Sequence, residues 1–257
     1  MNSYLRALSF LTIIPLPFVS FDPDGKELSN SASAFPLAGA TLGLILAVSA
    51  WLLAHILPVG PVVVIVLTLS FLLTRGLHFD GLADTADGLI GTTDREKAFR
   101  AMVDSAVGVM GAVSIFFVYL LKFSLLAGLQ AEMLYYAILF MLLAGRWSIV
   151  FAGTWFPPAR NKGLGDLFLR GLQWPILLKA SLWSVLIITF FVLFINPLVV
   201  PIIAGSILAL LSAFILAWYA ARRLGGITGD ILGASSELGE VFFLIGFCSF
   251  FYYSGLV

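Results

Sequence analysis

The sequence predicts an all-α polytopic membrane protein, and three observations carry that prediction. Of 257 residues, 61% are hydrophobic and only 11% charged, with a mean hydropathy of +1.07, a balance foreign to soluble domains of this length. Residues 28–74 and 180–221 contain no Asp, Glu, Lys or Arg, and each run is long enough for two spans of roughly 20 residues. The apolar segments mix Leu, Phe, Ala and Gly without the period-two alternation of a barrel strand, so the spans read as helices.

From the N-terminus, Arg6, the apolar stretch Ala7 to Ile14 and the later Ala32-Ser33-Ala34 imitate a cleavable signal peptide. The charged segment Asp22 to Glu27 lies between the apolar part and that cleavage-like site, and Pro15 and Pro17 interrupt the apolar part itself. An amphipathic or re-entrant N-terminal helix is therefore expected. Spans follow near 34–55 and 61–78, separated by the turn residues of His55 to Pro61, then near 107–128 and 133–152. Two more, near 175–195 and 199–221, are divided by Asn196-Pro197 and Pro201, and a last one lies near 240–256, making about seven. Between them, Thr93-Asp94-Arg95-Glu96 has the form of a capping box with Thr93 as N-cap and Glu96 at N3. It opens a short interfacial helix whose Ala98, Phe99, Met102 and Val103 rest on the bilayer surface or the protein. Residues 1–257 are read as a single integral-membrane catalytic domain. The lone Cys248 excludes a disulfide framework and a cysteine-based metal site.

The cations set the orientation. With those spans, one side holds Arg6, Lys26, Arg75, Arg95, Lys97, Arg100, Arg146, Arg160, Lys162, Arg170, Arg222 and Arg223, while the opposite loops hold none. Lys179 lies near a span start on the same side, and Lys122 falls within a span. The positive-inside rule makes the cationic side cytoplasmic. Fourteen cations balance fourteen acids, so no general attraction to nucleic acid is implied.

Against that background His78-Phe79-Asp80-Gly81-Leu82-Ala83-Asp84-Thr85-Ala86-Asp87-Gly88-Leu89 places three acids directly beyond an uncharged run. On a helix, Asp80, Asp84 and Asp87 are spaced i, i+4, i+7 and fall within an arc of about 60°. Carboxylates so close repel one another unless a cation sits among them. Oxygen-only ligands with room for phosphate oxygens point to Mg²⁺ rather than zinc. Asp104, closing the interfacial stretch, is the expected fourth ligand, whereas Asp94 and Glu96 read as helix-start charges. His78 sits about 160° from the arc, so a packing histidine hydrogen-bonded between helices is favoured over a base, though a proton-accepting role stays open.

Further along, Arg146, Arg160, Lys162 and Arg170, with Gly163 and Gly165, are of the type that binds anions. The last cytoplasmic loop runs Arg222-Arg223-Leu224-Gly225-Gly226-Ile227-Thr228-Gly229-Asp230, followed by Glu237 and Glu240. Its glycines and acids are expected to complete a polar cavity opposite the aspartates.

The stretch Leu77 to Gly88, Gly163-Leu164-Gly165, and Leu224 to Ala234 continuing through Glu237-Leu238-Gly239-Glu240 together resemble the cobalamin synthase family, the adenosylcobinamide-GDP ribazoletransferases. Leu8 to Thr12 with Pro15 and Pro17, and Phe35-Pro36-Leu37, fit as well, so the likeness runs essentially end to end. One departure is Asp104-Ser105-Ala106-Val107-Gly108, where the family usually has Arg at the position of Ala106. The resemblance implies transfer of the adenosylcobinamide-phosphate moiety from adenosylcobinamide-GDP to the 5′-hydroxyl side of α-ribazole, or to α-ribazole 5′-phosphate. GMP is released and adenosylcobalamin or its phosphate forms. Metal ligands are then expected at Asp80, Asp84, Asp87 and Asp104, and catalytic roles at Asp84, Asp87, Asp104 and His78. Substrate or phosphate contacts are expected at Arg146, Lys162, Gly163, Gly165, Arg223, Gly225, Gly226, Thr228, Asp230 and Glu237. Besides the two substrates and the lipid bilayer, a homo-oligomer and other late corrinoid-pathway enzymes are candidate partners. The aspartate pattern is also similar to CDP-alcohol phosphotransferases, but over one motif only. An ion-coupled transporter would place its acids near the bilayer midplane on paired repeats, and no such repeat is evident.

Overall fold

A computed structural model describes residues 3–14, 16, 19, 25–160, 163–194 and 198–254. Among them the chain is helical throughout, with no strand beyond a single bridge between Pro158 and Ile227. Helix α1 (Ser3–Leu11) buries Ala7, Leu8 and Leu11 on one face, the amphipathic N-terminal helix expected from sequence. Helix α2 (Lys26–Ser31) passes through one 3₁₀ turn into α3 (Phe35–Leu53), where Pro36 occupies a first-turn position whose missing N–H costs nothing.

Helix α4 (Val59–Leu73) has 15 residues, about 22 Å, short of a hydrocarbon core of roughly 30 Å. It does not continue to 78 as expected. Thr74 ends it, Arg75 (φ 55°) and Gly76 (φ 66°) take left-handed conformations, and α5 (Leu77–Leu89) leaves at 87° to α4. A two-residue left-handed step cannot propagate a helix, so the chain turns. The acid-bearing segment is thus a separate platform laid across the end of the bundle.

Helix α6 (Arg95–Ala101) is the expected interfacial helix, but its N-cap is Asp94 rather than Thr93. The Asp94 carboxylate accepts the Lys97 N–H at 2.8 Å, which holds it below the usual carboxylate range. Hairpins follow from α7 (Val109–Ala127) to α8 (Ala131–Trp155) and, beyond the short α9 (Leu164–Gly171), from α10 (Trp174–Phe194) to α11 (Val199–Leu224). The chain closes with α12 (Gly229–Ser254). Among the described residues six helices are long and apolar enough to cross a membrane, seven if the bent α4–α5 pair counts as one span, in line with the seven expected. Helices α8 and α12 are largely buried and form the centre, whereas α7 and α10 are mostly exposed and turn residues such as Phe117 and Phe190 outward.

The last span begins far earlier than 240. The connector between α11 and α12 is only Gly225 to Thr228, and Glu237 and Glu240 lie within the helix. Their presence there is explained by a buried quartet. Lys122 of α7 donates to Glu237 and Glu240 at 2.5 Å each, and Arg146 of α8 donates to Glu240 and, at 3.5 Å, to the Ser236 hydroxyl. Two cations and two anions cancel, the condition under which charge survives inside a bundle. Arg146, 1% exposed, and Glu237, 3% exposed, were expected at the phosphate-binding face; the structure commits both to this core pairing instead.

Connectors 54–58 and 128–130 carry no Lys or Arg, while α2, the Arg75 turn, α6, α9 and the end of α11 carry the cations. Reporter fusions after His55 or Glu132 are therefore expected to read on the side opposite a fusion after Arg95, the latter cytoplasmic. Fusions reading on one common side would overturn this topology.

Candidate active site

Helix α5 keeps Asp80, Asp84 and Asp87 on one helix, as the spacing anticipated, and it meets α12 backbone to backbone. A Cβ on Gly81 would stand 2.8 Å from the Asp230 carbonyl oxygen, and one on Gly233 3.3 Å from the Gly81 Cα, so only glycine permits this approach. The contact sets Asp230, in the first turn of α12, beside the α5 acids. Half-buried Asp84 lies within electrostatic reach of Asp230, Asp80 and Asp87, and of one cation, Arg160.

The aspartates do not form one cluster of four. Both oxygens of Asp87 are engaged at the start of α7, where they accept the N–H groups of Gly108 (2.7 Å) and Gly111 (2.9 Å). A carboxylate satisfying free N–H groups at a helix N-terminus is an anchor for that helix. Asp104 is exposed and accepts the N–H of Ala106 at 3.0 Å within its own turn. Among the described residues no three His, Cys, Asp or Glu side chains gather closely enough to hold a metal ion by themselves. Asp80 and Asp230 lie within electrostatic reach of Asp84, and the three offer oxygen ligands only. Such ligands suit a hard cation that takes one or two carboxylates and completes its shell with phosphate oxygens and water.

Three cavities meet at Asp80 and Asp230. A polar one of about 220 Å³ is lined by Arg160, Gly163, Gly165, Thr228, Gly229 and Asp230. A mainly apolar one, also about 220 Å³, shares Asp230, Gly165 and Gly229 with it and adds Asp80, His78, Phe10, Phe35 and Phe168. A wider groove of about 660 Å³ runs past Arg75, Phe71, Phe79 and Val107 to the same Asp80.

Of the described cations Arg146, Arg160 and Arg170, Arg160 is the one the structure brings here. It donates to the Phe99 carbonyl at 3.0 Å and stacks over the Phe99 ring at 4.8 Å, so α6 aims it. The preceding Pro157-Pro158-Ala159 pairs with the α11–α12 connector through Ile227 N–H to Pro157 O (2.9 Å) and Ala159 N–H to Ile227 O (2.8 Å). Gly226 belongs to this seam, since a Cβ would come 2.5 Å from the Pro157 oxygen, and Gly225 caps α11 in the left-handed region. Thr228 donates to Asp230 at 3.1 Å and fixes its carboxylate. Arg223 serves elsewhere, donating to the Thr92 carbonyl and the Tyr219 hydroxyl, both at 2.8 Å, and so clamps the loop after α5. Lys162 lies outside the described residues.

His78, 3% exposed, packs against α12 beside Gly233 and lines the apolar cavity. The hydrogen-bonded packing role expected of it is not found at Nδ1, which has no partner.

A family model described as cobalamin-5-phosphate synthase matches residues 3–248. The chain belongs to the cobalamin-5-phosphate synthase family. An adenosylcobinamide-GDP ribazoletransferase of Desulfitobacterium hafniense is 40% identical over 93% of this chain and 94% of its own length. Proteins of the same name from Geotalea daltonii and Chlorobaculum parvum are each 37% identical, covering 94% of this chain and 95% and 92% of their own lengths. No solved structure matches. As a member of the cobalamin-5-phosphate synthase family the chain is a transferase, embedded in the membrane by the helices described above.

Proposed function

We propose that this chain transfers the adenosylcobinamide-phosphate moiety of adenosylcobinamide-GDP to α-ribazole or α-ribazole 5′-phosphate, releasing GMP, at the cytoplasmic face of the inner membrane. The observation that carries this reading is the junction of opposite chemistries at Asp230. The acids of two touching helices stand on one side, and a polar cavity with Arg160, Thr228 and glycine backbone on the other.

An acceptor hydroxyl oxygen bonds to the phosphorus carried by cobinamide, the bond from that phosphorus to the bridging pyrophosphate oxygen breaks, and GMP leaves with that oxygen. Because the 5′ oxygen is already esterified in one of the two acceptors and the same bond must form with both, the attacking group in each case is a ribose hydroxyl other than the 5′. Such a transfer needs chiefly positioning and neutralised charge. Arg160, held by Phe99, sets a fixed cation at the phosphates, and the chain at Gly163, Gly165 and Gly229 lets them approach the backbone. One or two of Asp80, Asp84 and Asp230 would hold Mg²⁺ together with substrate phosphate oxygens, and the ion would lower the charge on the departing phosphate. Asp87 acts through position, tying the acid-bearing helix to α7. GMP release by purified protein is expected only when adenosylcobinamide-GDP, α-ribazole and Mg²⁺ are all present. No release, or release without acceptor, would end this reading.

A further inference from the structure

We infer that the small apolar cavity behind Asp80 and Asp230 seats the heterocyclic base of the acceptor, with His78 as its hydrogen-bond partner. The inference rests on the transfer just described and deepens it by assigning a subsite. The reacting phosphorus must be reached from three directions, by the GMP half of the donor, by the corrinoid half and by the acceptor. Three cavities converge on the acids, the apolar one sharing Asp230 with the polar cavity and Asp80 with the wide groove.

Chemistry distributes them. The polar cavity, with Arg160 and exposed glycine backbone, suits phosphates and the nucleotide they carry. The 660 Å³ groove is the one with room for a macrocycle's edge. The remaining 220 Å³ cavity is walled by Phe10, Phe35 and Phe168, whose rings run nearly parallel, at 14° to 25° to one another with centroids 5.8 to 6.3 Å apart. At these distances the rings touch one another, so together they make one aromatic wall on which a flat ring lies. Buried His78 adds one polar group, and a buried nitrogen without a partner is costly until something pairs with it.

A benzimidazole joined to ribose matches this inventory, having apolar faces and a single free ring nitrogen in its plane. Guanine does not, because its keto, amino and ring N–H groups would lie unpaired against Phe, Leu and Ile side chains. With the base seated here, its ribose reaches the rim formed by Asp80 and Asp230, beside the phosphates.

The test measures equilibrium dialysis of α-ribazole alone, and KM for each substrate, in wild type, His78→Ala and Phe168→Leu. The Kd and KM for α-ribazole are expected to rise about tenfold in both variants, with the KM for adenosylcobinamide-GDP within about twofold of wild type. A rise confined to the donor's KM, or unchanged α-ribazole binding, overturns the assignment. Dialysis reads the cavity without turnover, so a wild type that binds α-ribazole but releases no GMP faults the proposed reaction and leaves the subsite standing. If His78→Ala does not accumulate, Phe168→Leu, which keeps an apolar side chain at a buried position, decides the matter by the same readouts.

Discussion

Replacing Asp84 with Asn is expected to lower turnover by about 10²- to 10³-fold while leaving the thermal unfolding midpoint in detergent near that of the wild type. Asp84 is half-buried among Asp80, Asp87 and Asp230 and accepts no hydrogen bond among the described residues, so exchanging one oxygen for NH₂ breaks nothing in the fold. What is lost is charge at the position where a cation and phosphates meet, and the Mg²⁺ concentration needed for half-maximal activity should rise. Asp87→Asn separates the two roles. Its amide keeps one acceptor oxygen where two helix N–H groups now find two, so stability falls together with turnover, by about 1–2 kcal/mol. GMP-release assays beside melting curves distinguish these patterns, and near-wild-type turnover in Asp84→Asn would remove Asp84 from the site.

Lys122→Met is expected to be the most destabilising single change considered, by about 3–5 kcal/mol, because Glu237 and half of Glu240's pairing are left as uncompensated buried charge. The double variant Lys122→Met/Glu237→Gln retains the Arg146–Glu240 pair and should recover most of that loss. Folded yield and melting temperature of the two variants are the measurements. A single variant as stable as wild type would mean that the quartet contributes nothing to holding α7 against α12.

The difference between what the sequence disclosed and what it hid has a physical origin. Proline and glycine at chain reversals are local signals, so the hairpin of α10 and α11 was legible at Asn196-Pro197, although residues 195–197 themselves lie outside the described residues. The acid arc was legible too, because it depends only on helical spacing. The start of α12 was hidden because Glu237 and Glu240 look like loop acids until their partner Lys122, 115 and 118 residues away, is brought to them. Arg146 and Arg160 are indistinguishable in the sequence for the same reason. Both are lone arginines near span ends, and only the packing of α12 beside one and Phe99 beside the other tells a core ion from a cleft ion. Asp87 was read as a ligand because its spacing matches Asp80 and Asp84, whereas its use is set by the chain's return at Gly108.

The sequence distance within the buried quartet also imposes an order on biogenesis. Lys122 leaves the ribosome 115 residues before Glu237, so α7 enters the bilayer with a bare ammonium group whose acidic partners have not yet been synthesised. An unpaired lysine opposes insertion by about 2.5–3.5 kcal/mol at a span's centre and by less toward its end, where Lys122 lies, a load that the apolar residues around it must carry until α12 arrives. A nascent chain ending after α11 should therefore hold α7 weakly and expose it to quality-control proteases. Synthesis of the final helix locks a segment made long before it, and the acid platform anchored on α7 by Asp87 reaches its working position only at that last step.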